Sequence, residues 1–153
     1  MNARRVFYQA IHPFRKLYWF VVRPRTYGVK CLIECDGKLL LIRNTYGKMH
    51  WTFPGGGVGR NELPEAAVRR EVVEEVGIQL GEVVYLGHYF NIKEHKRDTV
   101  YCSYVHVTNS TFALDAVEIQ EAAWFRADAL PQPLSPAVTK VLALHRSKSS
   151  AYL

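Results

Sequence analysis

One stretch constrains this chain more than any other, the run GGVGRNELPEAAVRREVVEEVGI from Gly56 to Ile78. Pro64 is a favoured first helical residue and Gly77 a strong helix stop, so the run between them is predicted as a helix. At about 100° per residue, Glu71, Glu74 and Glu75 fall within about 100° of arc, which puts three carboxylates on one helix face. Like charges this close repel one another, raise each other's pKa and weaken a helix. A divalent cation removes that penalty, and an all-oxygen donor set without His or Cys suits Mg2+ or Mn2+ better than zinc. Arg70 is spaced to pair with Glu74 at i, i+4 and with Glu62 in the preceding loop, which would fix the carboxylates in advance. A solvated acidic helix face is the plainer alternative.

Nine residues of this stretch, Gly56, Glu62, Arg70, Glu71, Val72, Glu74, Glu75, Gly77 and Ile78, fit the pattern G-x5-E-x7-R-E-U-x-E-E-x-G-U, where U is a bulky aliphatic residue. In this the chain resembles the Nudix hydrolases. The lead-in Trp51-Thr52-Phe53-Pro54-Gly55 is also similar to the family, as is the downstream E-x-x-W-F at Glu121 to Phe125 followed by Leu130-Pro131. The chain departs from its relatives at Leu63, which cannot cap the helix as Ser or Thr would.

The resemblance covers residues 27–147 and implies an α/β domain with the Nudix fold, an α/β/α sandwich with a mixed β-sheet. It implies Mg2+-dependent hydrolysis, with Mn2+ as the second metal. The bond cut is the pyrophosphate bond of a nucleoside diphosphate linked to another moiety, X, and the products are a nucleoside monophosphate and phosphate-X. By the same resemblance Glu71, Glu74 and Glu75 hold the metal with the Gly55 carbonyl, and Arg70 and Glu74 belong to the catalytic set. A further catalytic carboxylate is expected just before Trp124, with Glu118 ranked ahead of Glu121 as the base. Arg43, Gly56 and Glu62 are expected at the substrate, Arg43 as a phosphate contact; its plainer reading is a solvated charge at a strand end.

Two other readings stand beside this one. A catalytically silent Nudix-like domain that binds nucleotide or RNA would be marked by lost motif carboxylates, and none is lost. Hydrolysis of RNA 5′ ends would want a basic channel beside the site. The downstream proline of ADP-ribose-type relatives and the tyrosine of diadenosine-polyphosphate relatives are both missing around Glu94 and His95, so X stays open.

The net charge of +6 is unevenly spread. Residues 1–33 hold seven Lys or Arg and no Asp or Glu, leaving 13 basic residues against 14 acidic ones in the remainder. The expected catalytic region is thus near neutral, and its charge gives no support for nucleic-acid binding. Cys31, Cys35 and Cys102 are an odd number without a C-x-x-C pair, pointing to a reducing compartment such as the cytoplasm. Cys31 and Cys35 share a period-2 face with Val29 and Ile33, which predicts buried strand cysteines.

At 153 residues the chain is long enough for one domain with a real core. Residues 1–26 combine arginines with Phe7, Tyr8, Phe14, Tyr18, Trp19 and Phe20, and are expected to form a helical extension broken at Pro13. Its aromatics would pack on the domain or on a second subunit as a homodimer. The sharper alternative is peripheral membrane contact, with arginines toward anionic lipid. Its apolar run, Leu17 to Val22, is too short to span a bilayer.

Tyr27 to Cys35, Asp36-Gly37 and Lys38 to Arg43 predict a β-hairpin with a type I′ turn. Strands are expected at Val83 to Ile92 and Thr99 to Thr108, joined by a basic turn from Lys93 to Asp98, with a short strand around Ala122 to Phe125 after a loop from Thr111 to Glu121. Val68, Val72 and Val76 form the expected buried side of the motif helix. Ser135-Pro136 opens a last helix that buries Val138, Val141 and Leu142, and residues 148–153 are expected as a frayed tail.

Overall fold

The computed structural model of the protein describes residues 25–93 and 96–151. The expected N-terminal helix and the tip at Glu94 and His95 lie outside the described residues. Strand β1 spans Arg25–Cys35 and β2 Lys38–Asn44; helix α1 spans Pro64–Val76; β3, β4 and β5 span Val84–Lys93, Lys96–His106 and Ile119–Arg126; helix α2 spans Pro136–Ser150. The sheet runs β3-β4-β1-β2-β5. It is mixed, because β1 and β4 are parallel while the other neighbours are antiparallel.

Alternation along β1 and β2 sorts the core into two layers. Val29, Cys31, Ile33, Leu40 and Ile42 pack under Val68, Val72 and Val76 of α1. Leu32, Leu39, Leu41 and Cys102 pack under Val138 and Val141 of α2. The helices therefore cover opposite faces, and the expected α/β/α sandwich is present. Burial pushes the Cys31 and Cys102 thiols up to about 12, which leaves them as inert packing groups. Among the described residues no helix is long and apolar enough to cross a membrane.

The hairpin turn forms with Asp36 at φ 49° and Gly37 at φ 72°, the paired left-handed conformations that a type I′ turn demands. Beyond Cys35–Lys38 and Glu34–Leu39 the two strands part, and the segment after Trp51 wedges between them. Thr52 exchanges two backbone bonds of 2.9 Å with Ile42, while Pro54 and Gly56 carbonyls accept from Cys31 and Val29, also at 2.9 Å. This wedge lays the glycine run along β1, opposite the carboxylate face of α1.

Several expected boundaries shift. Lys96 to Asp98 belong to β4 and not to a turn, since β1 pairs with Arg97 and Asp98 from its first residue, Lys96 pairs with Lys93 of β3, and Thr26 donates to the Asp98 carboxylate. Strand β5 starts at Ile119, so Glu121 lies inside the sheet. Helix α2 continues to Ser150, past the expected fray, with Ser135 capping its start through Ala137 N–H. Leu63 makes no side-chain cap to α1, as its chemistry dictates.

Candidate functional site

Two glycines of the wedge are there because nothing larger fits. Gly55 has φ 143°, and a Cβ on it would come within 2.1 Å of the Val29 carbonyl oxygen. A Cβ on Gly56 would stand 2.4 Å from the Glu71 carboxylate. Loop and helix therefore close directly onto each other, with the motif carboxylates at the seam.

The expectation of three carboxylates sharing one face is corrected in detail. Glu75 points inward and is 5% exposed, while the Glu74 side chain, 100° around the helix, is 56% exposed. Among the described residues no three acidic, His or Cys side chains are drawn together tightly enough to grip an ion as they stand. In this state other partners hold them. The Glu75 carboxylate accepts from Gly55 N–H at 2.7 Å. Arg70 Nη1 donates to Glu71 at 2.7 Å and reaches Glu74 only at 3.4 Å, so the expected Arg70–Glu74 pair is the weakest of its contacts.

The stronger partner of Arg70 is Glu62. Its Nε and Nη2 reach the two Glu62 oxygens at 2.8 Å each, a bidentate fork. Gly59 N–H adds a third donor at 2.6 Å, and Arg70 Nη2 also binds the Gly57 carbonyl at 2.9 Å. Glu62, expected at the substrate, is instead the clasp that ties the loop to α1. The Arg70 bond and the Gly59 N–H hold its carboxyl down at about 2, and Arg70 is in turn held above its usual range.

Glu75 is shifted the other way, to about 7. Burial drives the rise; the Lys30 cation and the Gly55 N–H oppose it, and the charges of Glu71 and Glu118 add to it. Glu118 is thereby placed in the electrostatic neighbourhood of the motif carboxylates. Its loop is tied down by Thr45 N–H on the Glu118 carbonyl at 2.9 Å and by Asp115 N–H on the Glu75 carbonyl at 3.1 Å.

Glu121 goes elsewhere. It stands opposite Arg43 in the β2–β5 register, and the two side chains form an ion pair. The Arg43 guanidinium also lies 5.0 Å from the Trp51 ring centre, a cation–π distance, while its Nε is buried without a hydrogen-bond partner. Arg43, expected as a phosphate contact, is engaged by Glu121 and Trp51 in this structure.

Lys30 is the residue that the sequence pattern did not reveal. Its ammonium donates to the Phe53 carbonyl at 2.8 Å from β1. Burial lowers its pKa, and Glu75 and Glu71 oppose that shift. An isolated lysine in a strand carries no spacing signal, and only the wedge beside β1 brings it to the carboxylates.

The donor set fits a hard divalent cation. Every donor is an oxygen, the Glu71 carboxylate is already drawn against the loop backbone at Gly56, and buried Glu75 has no ion pair among the described residues. An ion would compete with Arg70 for Glu71 and with Gly55 N–H for Glu75.

Residues 22–145 match the NUDIX domain family. Among individual proteins, the chain is 45% identical over 56 residues to an RNA pyrophosphohydrolase of Saccharophagus degradans, a match covering 37% of this chain and 33% of that protein. It is 32% identical over 126 residues to diphosphoinositol polyphosphate phosphohydrolase 3-alpha of Homo sapiens, covering 78% of this chain and 69% of that one. The chain thus spans a third of the first relative's length and about two thirds of the second's. A solved structure, MutT NUDIX hydrolase from Burkholderia pseudomallei, superposes with a TM-score of 0.74 at 28% identity, over 79% of this chain and 98% of that one.

Proposed function

We propose, from the premise that the chain belongs to the Nudix family, that it hydrolyses a pyrophosphate bond in a nucleoside diphosphate linked to a second moiety. The observation that carries this reading is the seam itself: buried Glu75 on Gly55 N–H, and Glu71 against Gly56. Glu71, Glu74 and Glu75, with the Gly55 carbonyl, would hold Mg2+ or Mn2+. When bound, such an ion neutralises phosphate oxygens and makes water a better acid.

The chain's own groups supply the remainder. Arg70, clasped by Glu62, holds Glu71 in place and keeps the glycine loop on α1. Glu118 accepts the proton of the attacking water, with Glu121 as the second candidate. Attack on one phosphorus then breaks the bridging P–O bond, giving a nucleoside monophosphate and phosphate-X.

RNA 5′-end hydrolysis is a second reading, favoured by the 45% identity to an RNA pyrophosphohydrolase. A phosphate-release screen over nucleotide sugars, dinucleoside polyphosphates, ADP-ribose, NADH, nucleoside triphosphates, a diphosphoinositol polyphosphate and triphosphorylated RNA separates these readings. Turnover of a nucleoside diphosphate derivative well above every other substrate is the expected result; turnover of none with Mg2+ or Mn2+ would overturn the reading. The basic, aromatic residues 1–26 locate or assemble the enzyme in this proposal. Sedimentation and co-pelleting with anionic vesicles, run on the chain with and without residues 1–24, distinguish a homodimer from lipid contact.

A further inference from the structure

Lys30 offers a cation to the site from the side opposite α1. Gly55 packs so closely on β1 that its missing Cβ would lie 3.0 Å from Lys30 Cα, and the same Gly55 binds Glu75. The lysine is half-buried, and among the described residues its ammonium makes one hydrogen bond, to the Phe53 carbonyl. An ammonium carries three N–H donors, so two are left over. Among the described residues no carboxylate lies within ion-pair distance of it, and Glu75 and Glu71 act on it only from farther away. An anion in contact with the ammonium would offset the cost of desolvating its charge.

From this we infer that Lys30 binds a phosphate oxygen of the substrate, clamping the anhydride from β1 while the carboxylate face of α1 works from the other side. This deepens the pyrophosphate reading and rests on it. The group recognised is a phosphate oxyanion, with the two free N–H donors supplying charge-assisted hydrogen bonds. The plainer role for Lys30 is a tether that pins the Phe53 carbonyl and hence Gly55. The two roles differ in what they do to metal binding. A tether supports Glu75, so its loss should weaken metal affinity; a cation beside a metal site opposes the metal, so its loss should leave that affinity unchanged or raise it.

The test uses methylenediphosphonate, a non-hydrolysable mimic of pyrophosphate, titrated calorimetrically into the full chain with and without Mg2+. The variants are Lys30→Gln, which keeps an N–H donor for Phe53, and Lys30→Met, which keeps the apolar stem. At saturating Mg2+ the mimic is expected to bind each variant at least tenfold more weakly than wild type, while the Kd for Mg2+ alone stays within twofold or tightens. Mimic affinity unchanged in a folded variant would overturn the assignment, as would a matching loss of Mg2+ affinity, which marks a tether. A wild-type chain that binds no mimic even with Mg2+ would overturn the pyrophosphate reading along with it, so the two failures are told apart.

Discussion

Glu62 and Glu75 belong to the same motif, 13 positions apart, and their surroundings make them chemical opposites. Glu62 receives an arginine fork and a backbone N–H, and its carboxyl is held near 2. Glu75 is sunk between α1 and the glycine loop with one N–H, and burial lifts it to about 7. The first is satisfied by the protein; the second is the one that the proposed function assigns to a cation. Farther along the chain Glu121 is paired with Arg43, and Glu118 adds its charge to the Glu75 neighbourhood. Glu62 and Glu121 are spent on arginines, whereas Glu71, though it also bonds Arg70, is drawn with Glu75 against the glycine loop.

The largest effect should come from Glu75→Gln. It keeps the size and the acceptor for Gly55 N–H but removes a full charge, so kcat should fall by a factor of ~10²–10³, as for other lost electrostatic stabilisers. Folding should not suffer, because a buried charge is removed. Steady-state kinetics across a Mg2+ titration checks this, and near-wild-type activity at any Mg2+ level would break the comparison at its centre.

Next in size is the second pair. Glu118→Gln should lower kcat by roughly 10² and flatten the acidic limb of the pH–rate profile, with Mg2+ affinity nearly unchanged. Glu121→Gln should cost only a few fold, through a loosened Arg43. If the two variants exchange these profiles, Glu121 and not Glu118 is the base.

How much of this could be read in advance follows the range of each interaction. The motif spacing is local, so the helix, its buried valines and the Arg70–Glu62 pair were legible, as was the hairpin from Asp36-Gly37. The Arg43–Glu121 pair depends on the β2–β5 register across 78 residues, which no local pattern encodes. Burial of Glu75 beside exposed Glu74 was equally hidden, because a helical wheel gives the angle between them and not the depth of the groove that one of them enters. Lys30 needed the wedge at Thr52 to Gly56, itself a long-range pairing with both β1 and β2.

The smallest expected effects are on stability, and they have opposite signs with pH. For Glu75, a folded pKa raised from 4.5 to about 7 means that the folded state binds the extra proton. Its favourable contribution in the metal-free protein is complete below 4.5 and is lost as pH rises through about 7, on the order of 3 kcal/mol in all. Glu75→Gln should remove that loss, so at pH 8 without metal the variant should melt roughly 5 °C or more above wild type. Saturating Mg2+ should reverse the order, since only wild type gains from binding. For Glu62, lowered from 4.5 to about 2, the contribution is present above 4.5 and is lost as pH falls through about 2. Glu62→Gln should therefore melt below wild type at pH 6, with the gap closing as pH is lowered from 5 to 2. Melting curves of both variants over pH 2–8 give the two slopes. A Glu62 gap that persists at pH 2, or a Glu75→Gln curve that tracks wild type from pH 5 to 8, would mean that the arginine clasp and the buried pocket do not set these two carboxylates apart.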